Sequence, residues 1–136
     1  MKTHAIVLFS FLALGPACAD AADQTGARAE QASVKRTVLR RTPVPNSNYE
    51  VVLVLVEAPA HASAGRHTHP GTVVGYVVEG EYTILIDGQP PRQLKTGDSL
   101  EVPQGAVHDE RTAGKPAKLL AVFTVEKGKP LTTPAP

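Results

Sequence analysis

The stretch that decides the fold reads GRHTHPG at residues 65–71, and it is answered by PQGAVH at residues 103–108. His67 and His69 lie two positions apart, so on an extended strand their side chains point to the same face. His108 follows a second short strand and a Pro-x-Gly turn. If the two segments pack side by side in a barrel, the three imidazoles converge inside it. Three neutral imidazoles can bind zinc, iron, copper or nickel, so the sequence predicts a metal site at these histidines.

The rest of the chain consists of short apolar segments separated by turns. Turn signals recur about every 8–12 residues, and no segment has a convincing helical period. The segment at 50–57 is nearly all β-branched or leucine, which predicts a strand covered on both faces. Because the chain has no Trp, its core must consist mainly of Val, Leu, Ile and Ala. The sequence therefore predicts an all-β sandwich or barrel, with strands at 50–57, 73–78, 82–87, 99–102 and 117–125.

Residues 1–19 have the features of a secretory signal peptide. A basic start at Lys2 precedes an apolar run that is too short to span a bilayer, and small residues follow. An Ala-x-Ala motif at residues 17–19 predicts cleavage there, and hence a periplasmic or secreted protein. Cys18 raises the alternative of a lipid anchor, which is disfavoured because the residues before it fit a lipobox poorly. This cysteine is the only one in the chain, so the exported domain would fold without a disulfide.

The remainder is predicted to comprise a flexible leader and basic arm at 20–44, a barrel at 45–127 and an irregular tail at 128–136. Without Lys2 the chain carries 13 basic and 13 acidic residues. This balance argues against nucleic acid or an anionic membrane as the main partner. No second apolar stretch is long enough to span a membrane. The basic segment 35–41 is either an edge strand protected by its charges or an arm that reaches a partner subunit.

The two histidine segments resemble the motifs of the cupin family, whose fold is a double-stranded β-helix, or jelly-roll barrel, and the chain is most similar to the small, single-domain bacterial cupins. The first cupin motif, Gly-x5-His-x-His-x3-Glu-x6-Gly, is matched at His67, His69 and Gly80. The second, Gly-x5-Pro-x-Gly-x2-His-x3-Asn, is matched at Gly97, Pro103, Gly105 and His108. The resemblance covers residues 50–126. It implies the cupin jelly-roll fold, a divalent transition metal (iron, manganese, nickel, zinc or copper), a small-molecule ligand or substrate, and homodimers formed through edge strands.

Three positions depart from the cupin motifs: His61 replaces a glycine, Thr112 replaces an asparagine and Val73 replaces the metal-binding glutamate. The last departure removes a carboxylate from the expected ligand set, and three interpretations are open. In the first interpretation, the three histidines bind the metal without a carboxylate ligand. Alternatively, another acid substitutes, with Glu101 as first candidate because it lies on the strand just before the Pro-x-Gly turn. In the third interpretation no metal binds, and the barrel holds an organic ligand or nothing.

Strand parity adds a prediction about the barrel interior. If position 73 faces inward, so do positions 75 and 77, which predicts an apolar ligand pocket lined by Val73, Gly75 and Val77. Gly75 either opens room for a ligand or marks a kink or bulge.

The sequence thus predicts an exported metal-binding cupin, and it identifies no catalytic residue. If the protein is an enzyme, the favoured activity is that of a metal-dependent dioxygenase, because three protein ligands leave positions for substrate and dioxygen. The alternative is a non-catalytic periplasmic module that binds or senses a small molecule, with or without metal.

Overall fold

The structure is a computed structural model that describes residues 33–136. The predicted signal peptide at 1–19, Cys18 and the first part of the predicted leader lie outside the described residues. Export and the disfavoured lipid anchor therefore stay predictions from the sequence.

Residues 33–136 form ten strands and no helix. All strand pairs are antiparallel. The strands are β1 (Lys35–Pro43), β2 (Tyr49–Ala58), β3 (His67–Thr68), β4 (Thr72–Glu79), β5 (Glu81–Ile86), β6 (Arg92–Lys95), β7 (Ser99–Val102), β8 (His108–Arg111), β9 (Ala117–Glu126) and β10 (Thr133–Pro134). Within this part of the chain, no helix is long and apolar enough to cross a membrane.

Two five-stranded sheets face each other, as the all-β jelly-roll prediction requires. The first sheet has the order β1-β2-β9-β4-β7, and the second has the order β10-β3-β8-β5-β6. The core between them is built mostly from Val, Leu, Ile and Ala side chains, together with Phe123 and Tyr82. The buried Tyr82 hydroxyl donates a hydrogen bond to the Ala117 carbonyl at 3.2 Å. The phenol therefore keeps a partner inside the core.

The strands of the first sheet alternate between buried and more exposed residues. On β2, Val52 and Val54 are buried, whereas Leu53 and Leu55 keep part of their surface exposed. The expectation that this strand is covered on both faces is therefore not met in the chain described. Its inner face lies on the core, and its outer face is an apolar surface without a covering element among residues 33–136.

The two sheets extend beyond the predicted barrel at 45–127 in both directions. The basic segment forms β1, which pairs along β2 of the same chain, as the edge-strand alternative predicted. In the tail, Thr133 and Pro134 pair with Thr68 and His67. The pairing of the tail with β3 was not visible in the sequence, because a two-residue strand carries no periodic signal.

Candidate metal centre

The structure brings the three predicted histidines together at the facing ends of β3 and β8. His67 and His108 are direct partners across these antiparallel strands, and His69 lies just beyond the end of β3. Their exposed fractions are 3%, 4% and 0% for His67, His69 and His108. The ring centroids are 4.1, 4.7 and 4.8 Å apart. One turn also ties the two motifs to each other, since the Gly105 N–H donates to the His69 carbonyl at 3.0 Å.

Backbone carbonyls hold all three imidazoles by the same ring nitrogen. The Nδ1 atoms of His67 and His69 lie 2.7 Å from the carbonyls of Gly65 and Leu131. The Nδ1 atom of His108 lies 3.0 Å from a third carbonyl, that of Ala106. A carbonyl only accepts, so each Nδ1 must carry the proton that is donated to it. In the neutral ring the Nε2 lone pair is then free, which is the arrangement that orients histidine ligands in metal sites.

The donor atoms fit a metal ion in number and position. One ring nitrogen from each histidine lies within 4.8 Å of the others. Two nitrogens bound to one tetrahedral zinc ion are about 3.4 Å apart, so small ring movements close the set. The buried His108 Nε2 has no hydrogen-bond partner in the described chain. A buried polar atom left in this way is costly unless another group satisfies it, and a metal ion would do so.

Burial sets the protonation of two of the rings. It lowers the pKa of His67 and lowers that of His69 to about 4, so both are neutral and ready to bind a cation at neutral pH. Burial acts in the same direction on His108, but the nearby Glu110 carboxylate outweighs it and raises the pKa of His108 overall.

Glu110 is the acid that the structure places beside the histidines. It follows His108 by two positions on β8, so the two side chains share a face. Its carboxylate oxygens lie 3.5 Å from His108 Nε2 and 3.9 Å from His67 Nε2, and its side chain is 17% exposed. Burial raises the pKa of Glu110, but the three histidines, His108 foremost, lower it overall. Glu110 was not among the residues predicted from the sequence, although the strand parity that puts His67 and His69 on one face also puts Glu110 on the face of His108.

The structure does not bring Glu101 to the histidines. Its neighbours on β7, Leu100 and Val102, are buried, so the alternation of the strand turns Glu101 to the exposed outer face of the first sheet. Glu101 pairs there with the exposed Val74. Glu110 therefore replaces Glu101 as the acid within reach of the cluster.

An apolar pocket adjoins the histidines between the two sheets. Val73 and Gly75 line it together with His67 and His69, whereas the predicted lining residue Val77 is buried in the core and does not reach it. A Cβ atom at Gly75 would approach the side chains of Leu100 and Leu119 to 2.9 and 3.2 Å. Gly75 thus lets two leucines close the pocket wall. The irregularity of β4 falls between Val77 and Glu79, not at Gly75.

The tail completes the surroundings of the cluster. The carbonyl that holds His69 belongs to Leu131, and the Ala135 N–H donates to the Arg66 carbonyl at 3.0 Å. Arg66 in turn forms a bidentate pair with Asp87 at 2.8 and 2.9 Å. The segment predicted as an irregular tail therefore positions one of the three candidate ligands.

Two facing sheets with a buried histidine cluster define a small β-barrel protein with a candidate metal centre. A profile of the Cupin domain family matches residues 54–123, which is more than half of the chain. The chain therefore belongs to the cupin family, as the motif resemblance predicted.

Relatives of known structure agree with this assignment. The chain is 30% identical over 79 residues to the dimethylsulfoniopropionate lyase DddQ of Ruegeria pomeroyi, a match that covers 58% of this chain and 39% of that protein. The crystal structure of that lyase superimposes with a TM-score of 0.59 and 27% identity, over 65% of this chain and 44% of the other. A cupin-like protein of Thermotoga maritima superimposes with a TM-score of 0.60, 24% identity and 75% coverage of each chain, which shows the shared fold. The chain spans about two fifths of the length of the lyase.

Proposed function

We propose that this protein binds one divalent transition metal through Nε2 of His67, His69 and His108, with the Glu110 carboxylate as the adjacent acid. One observation carries the proposal. All three Nδ1 atoms face backbone carbonyls, so three Nε2 lone pairs are left in a buried cluster. Nitrogen donors with a nearby carboxylate suit zinc, iron, manganese, nickel or copper better than magnesium or calcium, which prefer oxygen ligands.

The bound metal would supply a Lewis acid with open positions beside the apolar pocket. The chain's own residues then have separate tasks. The histidines are held in one tautomer by the backbone, Glu110 supplies a negative charge and a proton acceptor, and the pocket walls keep water from the apolar part of a small-molecule ligand. A site of this kind binds a small organic molecule at the metal and polarises it.

We propose two candidate reactions for that molecule. Oxygen-dependent oxidation is the reaction favoured by the sequence analysis, since three histidine ligands leave room for substrate and dioxygen. Elimination is the second candidate, because the chain resembles a lyase and Glu110 offers a carboxylate to accept a proton. Oxygen uptake in a substrate screen would support the first, and unsaturated products formed without oxygen uptake would support the second. Ligand binding without turnover would support the non-catalytic alternative.

The experiment that tests metal binding compares two histidine variants. Purified protein stripped with a chelator is dialysed against zinc, cobalt, manganese, nickel or ferrous iron, and the bound metal is measured by elemental analysis. Wild type should retain one ion per chain and His67→Ala should lose it. His61→Ala is the matched control, because His61 is exposed and lies outside the cluster. Equal metal content in wild type and His67→Ala would refute the proposal.

A homodimer is proposed on the outer face of the first sheet. The apolar side chains of this face, here called the outer patch, lie side by side on three neighbouring strands. Leu53, Val122 and Val74 are in register across β2, β9 and β4, and Val74 and Tyr76 are each 51% exposed. This apolar face lies on the three central strands of the sheet. Two copies of it could pack against each other in a twofold-symmetric dimer. The outer patch comprises Val51, Leu53, Leu55, Val74, Tyr76, Leu120 and Val122.

Export is proposed from the signal-peptide pattern of residues 1–19 alone. The expected location is the periplasm or the outside of the cell. Fusion of residues 1–30 to a reporter enzyme that is active only outside the cytoplasm would test it. An inactive fusion would refute export.

A further inference from the structure

The pocket beside the histidines has one cationic lining residue, Arg36. Among the lining residues within 33–136, the other charged or titratable groups are His67, His69, Tyr82 and Glu110, and the remainder are apolar. Arg36 is exposed and lines the pocket, so this cationic residue lies on the side of the pocket that is open to solvent. The pocket therefore has an apolar body, a metal-binding end and a positive charge at its mouth.

The register of β1 turns Arg36 toward the pocket. Arg36 pairs with Val56 and Lys35 pairs with Glu57. Because alternate residues share a face, Arg36 lies on the same face as Val34, which packs against the core. Val34 and Val56 also line the pocket. Lys35 points the other way and forms an ion pair with Glu57 at 3.3 Å.

Arg36 has no ion-pair partner within residues 33–136, although other cations of the same region do. Lys35 is paired with Glu57, and Arg41 is paired with Glu50. Burial and the Glu110 carboxylate raise the pKa of Tyr82, whereas the Arg36 guanidinium acts in the opposite direction. A guanidinium at the mouth of an apolar pocket is available for an anionic group of a ligand.

We propose that the pocket selects small monocarboxylates with a short apolar body, whose carboxylate pairs with Arg36 while the other end reaches the histidine cluster. The contact between the other end of the ligand and the histidine cluster rests on the proposed metal function. A carboxylate matches the two-pronged geometry of one guanidinium. A phosphate ester would bring a second negative charge to a mouth with a single cation, so a monocarboxylate matches the charge of the pocket better. Apart from the groups named above, the walls of the pocket are apolar, which favours a ligand with a hydrocarbon part.

The test uses butyrate and its neutral counterpart butyramide as probes. Binding is measured by ligand-observed NMR, with zinc-loaded and zinc-free protein. Wild type should bind butyrate more tightly than butyramide. Arg36→Met should weaken butyrate binding at least about tenfold, as expected for loss of a charge-assisted hydrogen bond, and leave butyramide binding unchanged. Arg36→Lys should keep part of the preference for butyrate over butyramide. Lysine retains the positive charge but cannot form the two parallel hydrogen bonds of a guanidinium.

Arg40→Met is the matched control, since Arg40 lies on the same strand but does not line the pocket. The zinc content of every sample is measured in parallel, so failure of the metal site is seen separately from failure of the carboxylate contact. Equal affinity for butyrate and butyramide, no binding of either probe, or an unchanged butyrate affinity in Arg36→Met would overturn the inference. An equal loss in Arg40→Met would overturn it as well, because the effect would then be one of general surface charge.

Discussion

Replacing Glu110 by glutamine should weaken metal binding, whereas the same change at Glu101 should not. Glu110→Gln keeps the size and shape of the side chain and removes only its negative charge. The carboxylate oxygens of Glu110 lie 3.5 and 3.9 Å from the Nε2 atoms of His108 and His67. Glu101 is exposed on the outer face of the first sheet and has no contact with the cluster.

The size of the effect follows from these distances. A carboxylate about 4 Å from a divalent ion gains a gross Coulomb energy of about 8 kcal/mol at an effective dielectric constant of 20. Most of this gain is offset, because the carboxylate and the ion must both give up water. Groups that support metal ligands typically change metal affinity by about 10–100-fold when they are removed. The expected loss for Glu110→Gln is therefore about 1.4–2.7 kcal/mol of binding free energy.

The assay is a competition titration of metal-free protein with zinc and a coloured chelator of known affinity. Wild type, Glu110→Gln and Glu101→Gln are compared at one pH and one ionic strength, with circular dichroism to show that all three are folded. A change of less than about twofold for Glu110→Gln would refute the role of this acid. An equal loss in both variants would show that the effect is a general one of net charge.

Three further predictions concern the wall of the pocket, a loop contact and the outer patch. Val73 lines the pocket beside the histidines, so Val73→Glu in the Glu110→Gln background should recover part of the zinc affinity, and no recovery in the same titration would contradict the geometry. Thr112 Oγ1 accepts a hydrogen bond from the buried Ala62 N–H at 3.0 Å, so Thr112→Val should cost about 1–3 kcal/mol in urea unfolding, and unchanged stability would count against this contact. Tyr76→Glu places a charge in the outer patch and should convert a dimer to a monomer in light scattering, whereas a dimer that persists would exclude this face.

The sequence predicted the histidine cluster because its geometry depends on local rules. Two positions on an extended strand share a face, and a Pro-x-Gly turn with a glycine in the left-handed region delivers His108. Gly105 has a φ of 73°, which explains the residue type at that turn. The three rings then come together if the two segments are neighbours in the sheet, and β3 and β8 do pair directly.

Glu101 was one possible substitute for the missing motif carboxylate, whereas the structure places a different acid, Glu110, beside the histidines. Val73 removed the carboxylate from the motif position, and Glu101 was chosen for its closeness to the turn. Parity places Glu101 outward, between two buried neighbours, and places Glu110 inward beside His108. The parity that puts His67 and His69 on one face also puts Glu110 on the face of His108, so this acid could have been proposed from the sequence.

Other features depend on contacts between distant segments and could not be predicted in this way. The bond from the His69 ring to the Leu131 carbonyl joins residues 62 positions apart. The pairing of β10 with β3 involves two residues on each strand. Neither leaves a periodic pattern, so the tail was interpreted as irregular. The exposure of the outer face of β2 also could not be predicted. An apolar segment does not show whether a second layer of structure covers that face of the strand.

The most direct measurement of the central claim is an anomalous difference map from a crystal grown with zinc and measured at the zinc absorption edge. The proposed centre predicts one strong peak about 2.0–2.1 Å from Nε2 of each of His67, His69 and His108, with every Nδ1 still facing its carbonyl. A map without a peak among the three rings, or with zinc bound only at Nδ1 or at surface residues, would contradict it.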